Sequence, residues 1–455
     1  MAILQKIYDN SPIFLQNLMT SMKGRSNAKS RYGKRYYEYL DFLKEFDTWS
    51  IEDKLKFQEE QLVKFVRYTY ENSIFYHNLY KDIDINSILT IDDLKKLPIV
   101  DKEMLRNNIE DVIIKNKSER YTEAHTGGTT GKSLSILRTD TDLMERMAML
   151  DHFKKRVGFV HGKMKRATFN GKHIVPPKQK KKVFWRYNSS CKQMIYSSFH
   201  ITEENMAYYV ESLNKFKPQA IDGFFTSMCD IAGYIERHNI HLKFIPVAIF
   251  PTSETLTSEG RELLERVFKC KVYDQYASSE GAPFVCECKN QVHHVELASG
   301  VFEKYNDTDE ILVTSFTTHA TPLIRYRIGD RMYFDENAKC NCGNNSPIVT
   351  SIEGRRLDFL YSAEGAKINA GNVSNVLKYL PNAVIHSQFV QDTKEEVVLL
   401  LEIDKSLYKD SYDELIQKEF SHKFGEKTKL IIKHVDEIPR EKSGKFRMIK
   451  NNVKE

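Results

Sequence analysis

Residues 126–133, TGGTTGKS, combine three glycines with three threonines, a serine and a lysine. Glycine lets the backbone approach a ligand closely and adopt dihedral angles that other residues avoid. Successive N–H groups in such a loop can form an anion-binding nest, while the hydroxyl groups add donors and Lys132 adds a positive charge. The composition favours a phosphate-binding loop, with the flexible tip of a hairpin as the alternative.

The same segment departs from the P-loop of nucleotide hydrolases. That pattern, aligned on Gly131-Lys132-Ser133, requires glycine at position 126, where this chain has Thr126. A P-loop also follows a buried apolar strand and opens a helix. Here the polar RYTEAH comes before the loop, and LSILRTD, with alternating and β-branched residues, follows it. The sequence predicts a turn between two strands.

Two Cys-x-Cys pairs and two histidines could bind a metal ion. Zinc takes four sulfur or nitrogen ligands in a tetrahedron, and the candidates are Cys286, Cys288, His293, His294, Cys340 and Cys342. The Cys-x-Cys spacing is less diagnostic than Cys-x-x-Cys. On spacing alone, reduced surface cysteines are therefore an equal alternative.

The elements that must position these residues fall into three regions. Residues 1–118 have a Lys/Glu-rich helical pattern, and strands alternate with helices across 119–353. Residues 354–455 contain VVLLLEI, SYDELIQKEFSHKF and KLIIKHV, which predict strand, helix and strand. We predict a helical N-terminal part, an α/β core and a separate small α/β domain.

A strand–helix–strand unit is predicted inside the core. Residues 245–250 form a short apolar run typical of a buried strand. The segment TSEGRELLERVFK starts with threonine and serine, has early acidic residues and spaces its apolar residues as a helix does. KVYDQY then has the pattern of another strand, so the unit predicts a parallel sheet.

Four more segments follow the glycine-rich loop in order: YDQYASSEG at 273–281, RYRIGD at 325–330, GRRLD at 354–358 and PREKSGKFR at 439–447. Together the five resemble the motifs of adenylate-forming enzymes, the acyl-CoA synthetase superfamily. Residues 253–281 and the cysteine pairs are similar to the phenylacetate–CoA ligase-like branch, including its capsular polysaccharide CapK-like group. The resemblance covers the chain from about residue 120 to its end. It implies an α/β fold with a large N-terminal adenylate-forming domain and a small mobile C-terminal domain.

The resemblance implies a site for ATP and Mg²⁺. The residues that would cradle the β- and γ-phosphates are Thr126, Gly127, Gly128, Thr129, Thr130, Gly131 and Lys132. Tyr276 would contact adenine, Ser279 belongs to the same nucleotide-binding motif, and Glu280 would hold Mg²⁺, which prefers oxygen ligands. By residue type alone, Tyr276 is equally a core tyrosine, and Glu280 has a helix-capping acid as its alternative.

Three further positions take roles from the resemblance. Asp330 would accept hydrogen bonds from the ribose hydroxyls, with a turn aspartate as the alternative. Arg355 would contact ribose or phosphate, with a surface arginine as the alternative. Lys445 would reach the reacting carboxylate, although composition alone favours a solvated lysine in the tail. The small domain would swing about Asp358 after adenylate formation.

The resemblance also selects among the metal-ligand candidates. It implies a structural Zn²⁺ site formed by Cys288, His294, Cys340 and Cys342, with Cys286 and His293 as alternative ligands. A site closed by four protein ligands has no position for water, so zinc catalysis is not predicted. One departure from the common pattern is Ala277, which replaces a glycine of the adenine motif.

One further segment is a candidate lining of an acyl pocket. Residues 222–234 could line it through Phe224, Phe225 and Ser227, or could form an ordinary strand-to-helix turn. His173, beside glycine and proline, is more typical of a loop residue than of a catalyst.

These observations predict an ATP-dependent ligase that activates a carboxylic acid as an acyl-adenylate, releases pyrophosphate and then passes the acyl group to CoA. A CapK-like role would instead supply an acyl or aminoacyl group for a surface polysaccharide. The alternatives are a P-loop ATPase and a catalytically inactive zinc-containing scaffold. A net charge of +6 over 455 residues argues against a nucleic-acid binder. We expect a cytoplasmic protein with no integral membrane segment, in which a homodimer is possible.

Overall fold

The computed structural model describes residues 2–125, 134–176, 179, 181–306, 308–335, 337–353, 359–377, 380, 383–403, 405, 407–438 and 448–453. Several predicted site residues lie outside these ranges: Thr126, Gly127, Gly128, Thr129, Thr130, Gly131, Lys132, Arg355, Asp358 and Lys445.

Helices make up most of the first quarter of the chain. The α-helices within the described residues are α1 (Ala2–Asn10), α2 (Ile13–Arg31), α3 (Lys34–Phe46), α4 (Ile51–Asn72), α5 (Ile74–Leu79), α6 (Lys102–Asn107), α7 (Ile109–Val112), α8 (Asp140–Arg156), α9 (Glu203–Phe216), α10 (Phe225–Arg237), α11 (Ser258–Phe268), α12 (Ala370–Ser374) and α13 (Ser411–Phe424). None of the helices in the described ranges is long and apolar enough to span a bilayer.

Strands begin after residue 120. They are β1 (Tyr121–His125), β2 (Ser135–Thr139), β3 (Arg166–Asn170), β4 (Trp185–Asn188), β5 (Gln193–Ser197), β6 (Ala220–Phe224), β7 (Ala248–Thr252), β8 (Gln275–Tyr276), β9 (Val285–Glu287), β10 (His293–Val295), β11 (Gly300–Lys304), β12 (Glu310–Ser315), β13 (Tyr326–Phe334), β14 (Ile348–Glu353), β15 (Phe359–Tyr361), β16 (Lys367–Asn369), β17 (Val384–Thr393), β18 (Glu396–Ile403), β19 (Lys429–Val435) and β20 (Ile449–Asn451).

The N-terminal helices pack against the rest of the chain. Helix α4 begins at the capping residue Ser50, whose hydroxyl accepts a hydrogen bond from the Asp53 N–H, 3.1 Å away. Its buried face, with Leu62 and Phe65, joins one hydrophobic cluster with Val285 and Val313 of the antiparallel sheet. These helices therefore complete the large core.

Two sheets form the framework of the large domain. The antiparallel sheet has the strand order β11-β12-β13-β14-β10-β9-β8. The other sheet has the order β4-β5-β3-β6-β7, in which β5, β3, β6 and β7 run parallel and β4 is antiparallel to β5. The parallel sheet confirms the alternating pattern of strands and helices read from the sequence.

The predicted strand–helix–strand unit is correct at its centre and wrong at its ends. Helix α11 forms with the Thr257 hydroxyl as its cap. The preceding strand, predicted at 245–250, begins only at Ala248, and Ile245 is 65% exposed. The cause is Pro246, which has no backbone N–H to donate to a neighbouring strand and which restricts the backbone dihedral angles of Ile245.

The pattern of KVYDQY predicts one strand of the parallel sheet, and this prediction is only partly correct. Val272 pairs with Ile249 in a single parallel bridge. Gln275 and Tyr276 then form β8 and pair with β9 of the antiparallel sheet. The chain changes sheets within this segment, and this brings Tyr276 to the seven-stranded sheet.

The C-terminal region has its own core and its own sheet. The predicted elements VVLLLEI, SYDELIQKEFSHKF and KLIIKHV are confirmed as β18, α13 and β19, with β18 and β19 parallel. The four strands follow the order β19-β18-β17-β20, and their apolar side chains form a separate hydrophobic cluster. The residue boundaries proposed at 118 and 353 stay predictions.

Candidate nucleotide and zinc sites

Two antiparallel strands flank the glycine-rich segment. Strands β1 and β2 pair from Tyr121 with Thr139 to His125 with Ser135. The prediction that residues 126–133 connect two strands is confirmed. Their own conformation lies outside the described residues. A strand in the place where a P-loop opens a helix argues against the nucleotide-hydrolase alternative.

Two residues of the predicted nucleotide site contact each other. The Tyr276 hydroxyl donates a hydrogen bond of 2.8 Å to Oδ2 of Asp330. Tyr276 lies on β8 and Asp330 on β13, and three strands separate β8 from β13 in the sheet order. Two side chains so far apart along a sheet meet because the sheet curls strongly.

Asp330 lies in a bulge of β13 and not in a simple turn. Leu312 pairs with Arg327, and Glu310 pairs with Arg331. Three residues of β13 therefore face Ile311 alone, and among them Gly329 has a φ of +87°, which glycine adopts without strain. Bulges redirect side chains next to functional sites, and this one turns Asp330 towards Tyr276.

Glu280 is 7% exposed and lies in the loop between β8 and β9. No helix begins after Ser278 or Ser279 within the described residues, so the helix-capping alternative for Glu280 is wrong. Instead, the Ser278 hydroxyl accepts hydrogen bonds from the N–H groups of Gly281, at 3.2 Å, and Ala282, at 3.1 Å. The loop is thus organised by its own serine.

A buried arginine that the sequence analysis missed supports this loop. Nη1 of Arg146, on α8, donates hydrogen bonds to the carbonyl oxygens of Gly281, at 2.9 Å, and Ala282, at 3.0 Å, and to Oγ1 of Thr317, at 3.1 Å. Its guanidinium also lies over the ring of Phe284, 4.5 Å from the centroid. Burial, with a smaller contribution from the nearby charge of Arg138, lowers the pKa of Arg146 to about 9.

A second missed arginine lies beside Glu280. Arg138, on β2, donates a hydrogen bond to the carbonyl oxygen of Ser279. Burial lowers the pKa of Arg138, while the charge of Glu280 acts in the opposite direction. Burial, Glu280 and Asp330 all raise the pKa of Tyr326, at the start of β13. Glu280 and Asp330 therefore share one electrostatic environment. The alternation of apolar and polar residues in LSILRTD is the sequence signal that could have indicated that Arg138 faces the nucleotide site.

Four predicted metal ligands come together. One sulfur or nitrogen atom of each residue lies within 4.8 Å of the other three, in the set Cys288, His294, Cys340 and Cys342. Cys288 follows β9 and His294 lies on β10, while the other two cysteines precede β14. Strand β10 pairs with both β9 and β14, and this brings the two loops together at one end of these three strands.

The surroundings of these four residues fit a zinc ion. The N–H groups of Asn290 and Asn344 donate to the sulfurs of Cys288, at 3.4 Å, and Cys342, at 3.2 Å. Nδ1 of His294 lies 3.0 Å from the carbonyl oxygen of Ser346, an arrangement that orients Nε2 towards the cysteines. Outer hydrogen bonds of this kind are typical of zinc ligands.

The alternative ligands lie elsewhere. Cys286 is buried in the large hydrophobic cluster. Nε2 of His293 is 3.3 Å from Oδ2 of Asp274 and 3.9 Å from Oε1 of Glu287. The sequence analysis kept these two residues as alternative zinc ligands, and the structure places both outside the group of four.

The segment suggested for an acyl pocket contains a strand-to-helix turn, from β6 to α10. Phe225 and Ser227 are 3% and 4% exposed, and Phe225 packs closely against Gly260 of α11. Both are therefore core residues. His173 stacks on His422 of α13, with ring centroids 4.8 Å apart, and contacts the C-terminal region.

Comparison with known proteins gives relatives along the whole chain. The CapK C-terminal domain family matches residues 360–452. The chain is 38% identical over 456 residues to the protein CapK of Staphylococcus aureus, covering 99% of this chain and 100% of the relative. It is 23% identical over 417 residues to a phenylacetate–coenzyme A ligase of Thermus thermophilus, covering 82% and 87%.

Solved structures show the same fold. A 2-hydroxyisobutyryl-CoA ligase, crystallised with 2-HIB-AMP and CoA in the thioesterification state, has a TM-score of 0.56 at 17% identity. The match covers 89% of this chain and 91% of that one. An open conformation of that ligase gives a TM-score of 0.53 at 16% identity, covering 86% and 90%. The likeness confirms a large N-terminal domain and a smaller C-terminal one.

Proposed function

The chain belongs to the CapK-like branch of the adenylate-forming ligases, and we propose that it activates a carboxylic acid with ATP. In the proposed reaction an oxygen of the acid attacks the α-phosphorus of ATP. The bond between this phosphorus and the bridging oxygen to the β-phosphate breaks, and pyrophosphate leaves. The product is an acyl-adenylate.

The observation that supports this proposal best is the 2.8 Å hydrogen bond between Tyr276 and Asp330 beside the buried Glu280. Tyr276 and Glu280 come from one motif, and Asp330, which lies 54 residues beyond Tyr276 in sequence, contacts the Tyr276 hydroxyl where an adenosine is expected. Asp330 would accept hydrogen bonds from the ribose hydroxyls, Tyr276 would present a ring face to adenine, and Glu280 would provide an oxygen ligand for Mg²⁺.

The remaining site residues have proposed roles as well. Thr126, Gly127, Gly128, Thr129, Thr130, Gly131 and Lys132 would hold the phosphates, and Ser279 would contribute to the same site. Arg355 would contact ribose or phosphate, and Lys445 would neutralise the reacting carboxylate. A Mg²⁺ ion at Glu280 would neutralise charge on the phosphates. The main requirement of adenylate formation is to align the carboxylate with the α-phosphate of ATP, although these two anions repel each other.

The acceptor and the biological role follow as further parts of the proposal. We infer that a thiol, with CoA as the first candidate, attacks the acyl carbonyl and that AMP leaves. The small C-terminal domain would move between the two steps. The likeness to protein CapK supports a role in capsular or surface polysaccharide synthesis. Because ATP and CoA are cytoplasmic, we place the reaction in the cytoplasm, and a homodimer stays a prediction.

A structural zinc ion completes the proposal. The ion would be bound by Cys288, His294, Cys340 and Cys342 and would join two loops at the ends of β9, β10 and β14. Four protein ligands close such a site, so the ion would stabilise the fold and take no part in the reaction.

Pyrophosphate release tests the proposed function. The purified chain is given ATP, Mg²⁺ and a panel of aryl, fatty, amino and sugar acids, each with and without CoA. We expect release to depend on one class of acid, and dependence of thioester formation on CoA would identify the acceptor. Pyrophosphate release that no acid stimulates would contradict the proposal.

A further inference from the structure

Helix α2 packs against the rest of the protein through polar side chains. Its buried residues are Gln16 and Ser21. Oδ1 of Asn17 accepts a hydrogen bond of 2.9 Å from the N–H of Tyr187. The hydroxyl of Ser21 accepts another, of 3.0 Å, from the N–H of Ser189. A helix on the surface of a globular protein normally turns its apolar side inwards, so the orientation of α2 is reversed.

The opposite side of α2 is apolar and exposed. Phe14, Leu18 and Met22 follow one another at intervals of four residues, which places them on one side of the helix. Their exposed fractions are 69%, 55% and 61%. Among the described residues, six of the fourteen large apolar side chains that are exposed lie in α1 and α2. A concentration of exposed apolar side chains marks an interaction site.

Basic residues continue this side of the helix towards its C-terminal end. Arg25 and Lys29 follow Met22 by three and seven residues, so they share its side of α2. Both are exposed, as is Lys23 beside them. We call the following residues the outer face of α2: Phe14, Leu18, Met22, Arg25 and Lys29.

Helix α1 extends the exposed apolar surface. It is joined to α2 by a hydrogen bond of 3.0 Å from Nε2 of Gln16 to the carbonyl oxygen of Tyr8. The Tyr8 hydroxyl donates a hydrogen bond of 2.6 Å to the carbonyl oxygen of Ile174, which attaches α1 to the large domain. The side chains of Leu4 and Ile7 are exposed. The two helices are therefore held in place while their apolar side chains face solvent.

The positive charge of the chain is concentrated in the same segment. Residues 1–35 contain seven lysines and arginines and a single acidic residue. Their net charge of +6 equals that of the whole chain, so the other residues are together neutral. Lys34 and Arg35 form ion pairs with two glutamates, and the remaining cations of this segment lie in α1 and α2.

The combination of charge and apolar surface distinguishes between possible partners. A second copy of the chain, joined through the same face, would bring two basic segments together, and their charges would repel. A nucleic acid would neutralise the charge and leave the apolar side chains exposed. An anionic membrane surface satisfies both, because apolar side chains enter the boundary between head groups and acyl chains while lysines and arginines contact acidic head groups.

We propose that the outer face of α2 binds the surface of a membrane that contains anionic lipids. Phe14, Leu18 and Met22 would enter the lipid boundary, and Arg25 and Lys29 would lie among the head groups. The helix would lie in the plane of the surface and would not span the bilayer. Such binding does not require adenylation, so it can be tested separately from the proposed reaction.

Sedimentation with lipid vesicles tests this proposal on the full chain. Vesicles of equimolar phosphatidylcholine and phosphatidylglycerol are compared with vesicles of phosphatidylcholine alone. We expect the partition coefficient to be about tenfold or more higher with the anionic vesicles and to fall as the salt concentration rises. Absence of binding to the anionic vesicles, or equal binding to both kinds, would overturn the proposal.

Substitution of the apolar residues tests which surface is used. Phe14→Ser combined with Leu18→Ser should lower the partition coefficient about tenfold or more, because two apolar side chains no longer enter the lipid. The control is Leu89→Ser combined with Leu407→Ser, since both leucines are exposed and lie outside α1 and α2. The control should bind as wild type does, and unchanged binding in the first variant would overturn the proposal.

Charge reversal tests the basic part of the outer face. Arg25→Glu combined with Lys29→Glu should lower binding to anionic vesicles about tenfold or more. Lys56→Glu combined with Lys64→Glu makes the same change in net charge on exposed lysines of α4 and should keep most of the binding. An equal loss in both variants would overturn the assignment to this face.

Light scattering after gel filtration tests a second copy as the occupant. We expect Phe14→Ser combined with Leu18→Ser to leave the molar mass in solution unchanged. A wild-type dimer that this variant dissociates, together with no binding to anionic vesicles, would overturn the proposal and assign the outer face to contact between copies.

Discussion

The hydrogen bond from Tyr276 to Asp330 provides the sharpest test at the residue scale. We expect Asp330→Ala to weaken ATP binding about 10- to 100-fold, because hydrogen bonds to a charged group contribute about 1.5–3 kcal/mol. Tyr276→Phe keeps the ring and loses the 2.8 Å bond, so it should weaken binding about two- to tenfold. Calorimetric titration with ATP measures both effects.

The control is Tyr333→Phe, which removes a hydroxyl from the same strand, β13. Its ATP affinity should equal that of wild type. Because Tyr276 and Asp330 touch, the double variant should be weakened by less than the sum of the single effects. Full additivity would contradict the coupling of the two residues, and unchanged affinity in Asp330→Ala would remove Asp330 from the ribose site.

A second residue pair, His319 and Asp142, should make the free energy of unfolding depend on pH. Nδ1 of His319 lies 2.6 Å from Oδ1 of the buried Asp142. Burial lowers the pKa of His319, but the hydrogen bond and charge of Asp142 outweigh it and raise the pKa. The pair therefore stabilises the fold fully below the unfolded pKa of about 6.5, and this contribution is lost as pH rises through the higher folded value.

His319→Gln tests this coupling. We expect the urea midpoint to fall more at pH 6 than at pH 9, because only the protonated ring carries a charge for Asp142. Wild type and variant are unfolded at both values, and the differences in midpoint are compared. A loss of stability that is the same at both pH values would show that the pair acts without its charge.

At the scale of elements, Arg146 connects α8 to the loop that contains Glu280. Arg146→Met keeps the bulk and leaves the carbonyl oxygens of Gly281 and Ala282 without a buried donor. We expect a loss of about 3 kcal/mol in the free energy of unfolding, measured by urea denaturation. Arg146→Lys should lose less, because it keeps the charge. Wild-type stability in Arg146→Met would contradict this role.

The zinc proposal also belongs to this scale, because the four ligands join two loops. We expect about one zinc ion per chain by elemental analysis, and a lower melting temperature after chelation. Cys288→Ser should lower the zinc content and melting temperature together. Cys191→Ser is the control, since Cys191 lies between β4 and β5, outside the group of four. A chain that contains no zinc and melts unchanged in chelator would refute the site.

Local patterns made part of the fold predictable. The capped helix α11 and the order β18, α13, β19 follow from signals within a few residues of each element. The sheet that KVYDQY joins depends on distant partners, so a strand pattern alone could not locate Tyr276. Pro246 explains why β7 begins late, and that signal was present in the sequence.

The candidate site was predictable only in its residue types. The motif resemblance brought Tyr276, Glu280 and Asp330 into one hypothesis, and the curled sheet brings two of them into contact. Arg146 was missed because a buried arginine in a helix has no local signature. Its three hydrogen-bond acceptors lie more than 130 residues away in sequence, so only tertiary structure identifies its role.

At the scale of the whole molecule, the contacts between the small domain and the large one include an ion pair and a pair of stacked histidines, and Phe199 packs against the C-terminal hydrophobic cluster. Nζ of Lys367 lies 3.6 Å from Oδ1 of Asp230, and His173 stacks on His422. A cavity of about 560 Å³ opens between the N-terminal helices and α13. Polar contacts of this kind fit the proposed movement of the small domain between half-reactions.

The nucleotide product is the most direct test of the central claim. Wild type is incubated with ATP, Mg²⁺ and the acid panel, and the nucleotides are separated by chromatography. Adenylation predicts AMP and pyrophosphate in equal amounts, formed only with a productive acid. Glu280→Gln should slow the reaction about 100-fold or more, and Glu262→Gln, an exposed change on α11, should not. Formation of ADP and phosphate, or of AMP that no acid stimulates, would contradict the account.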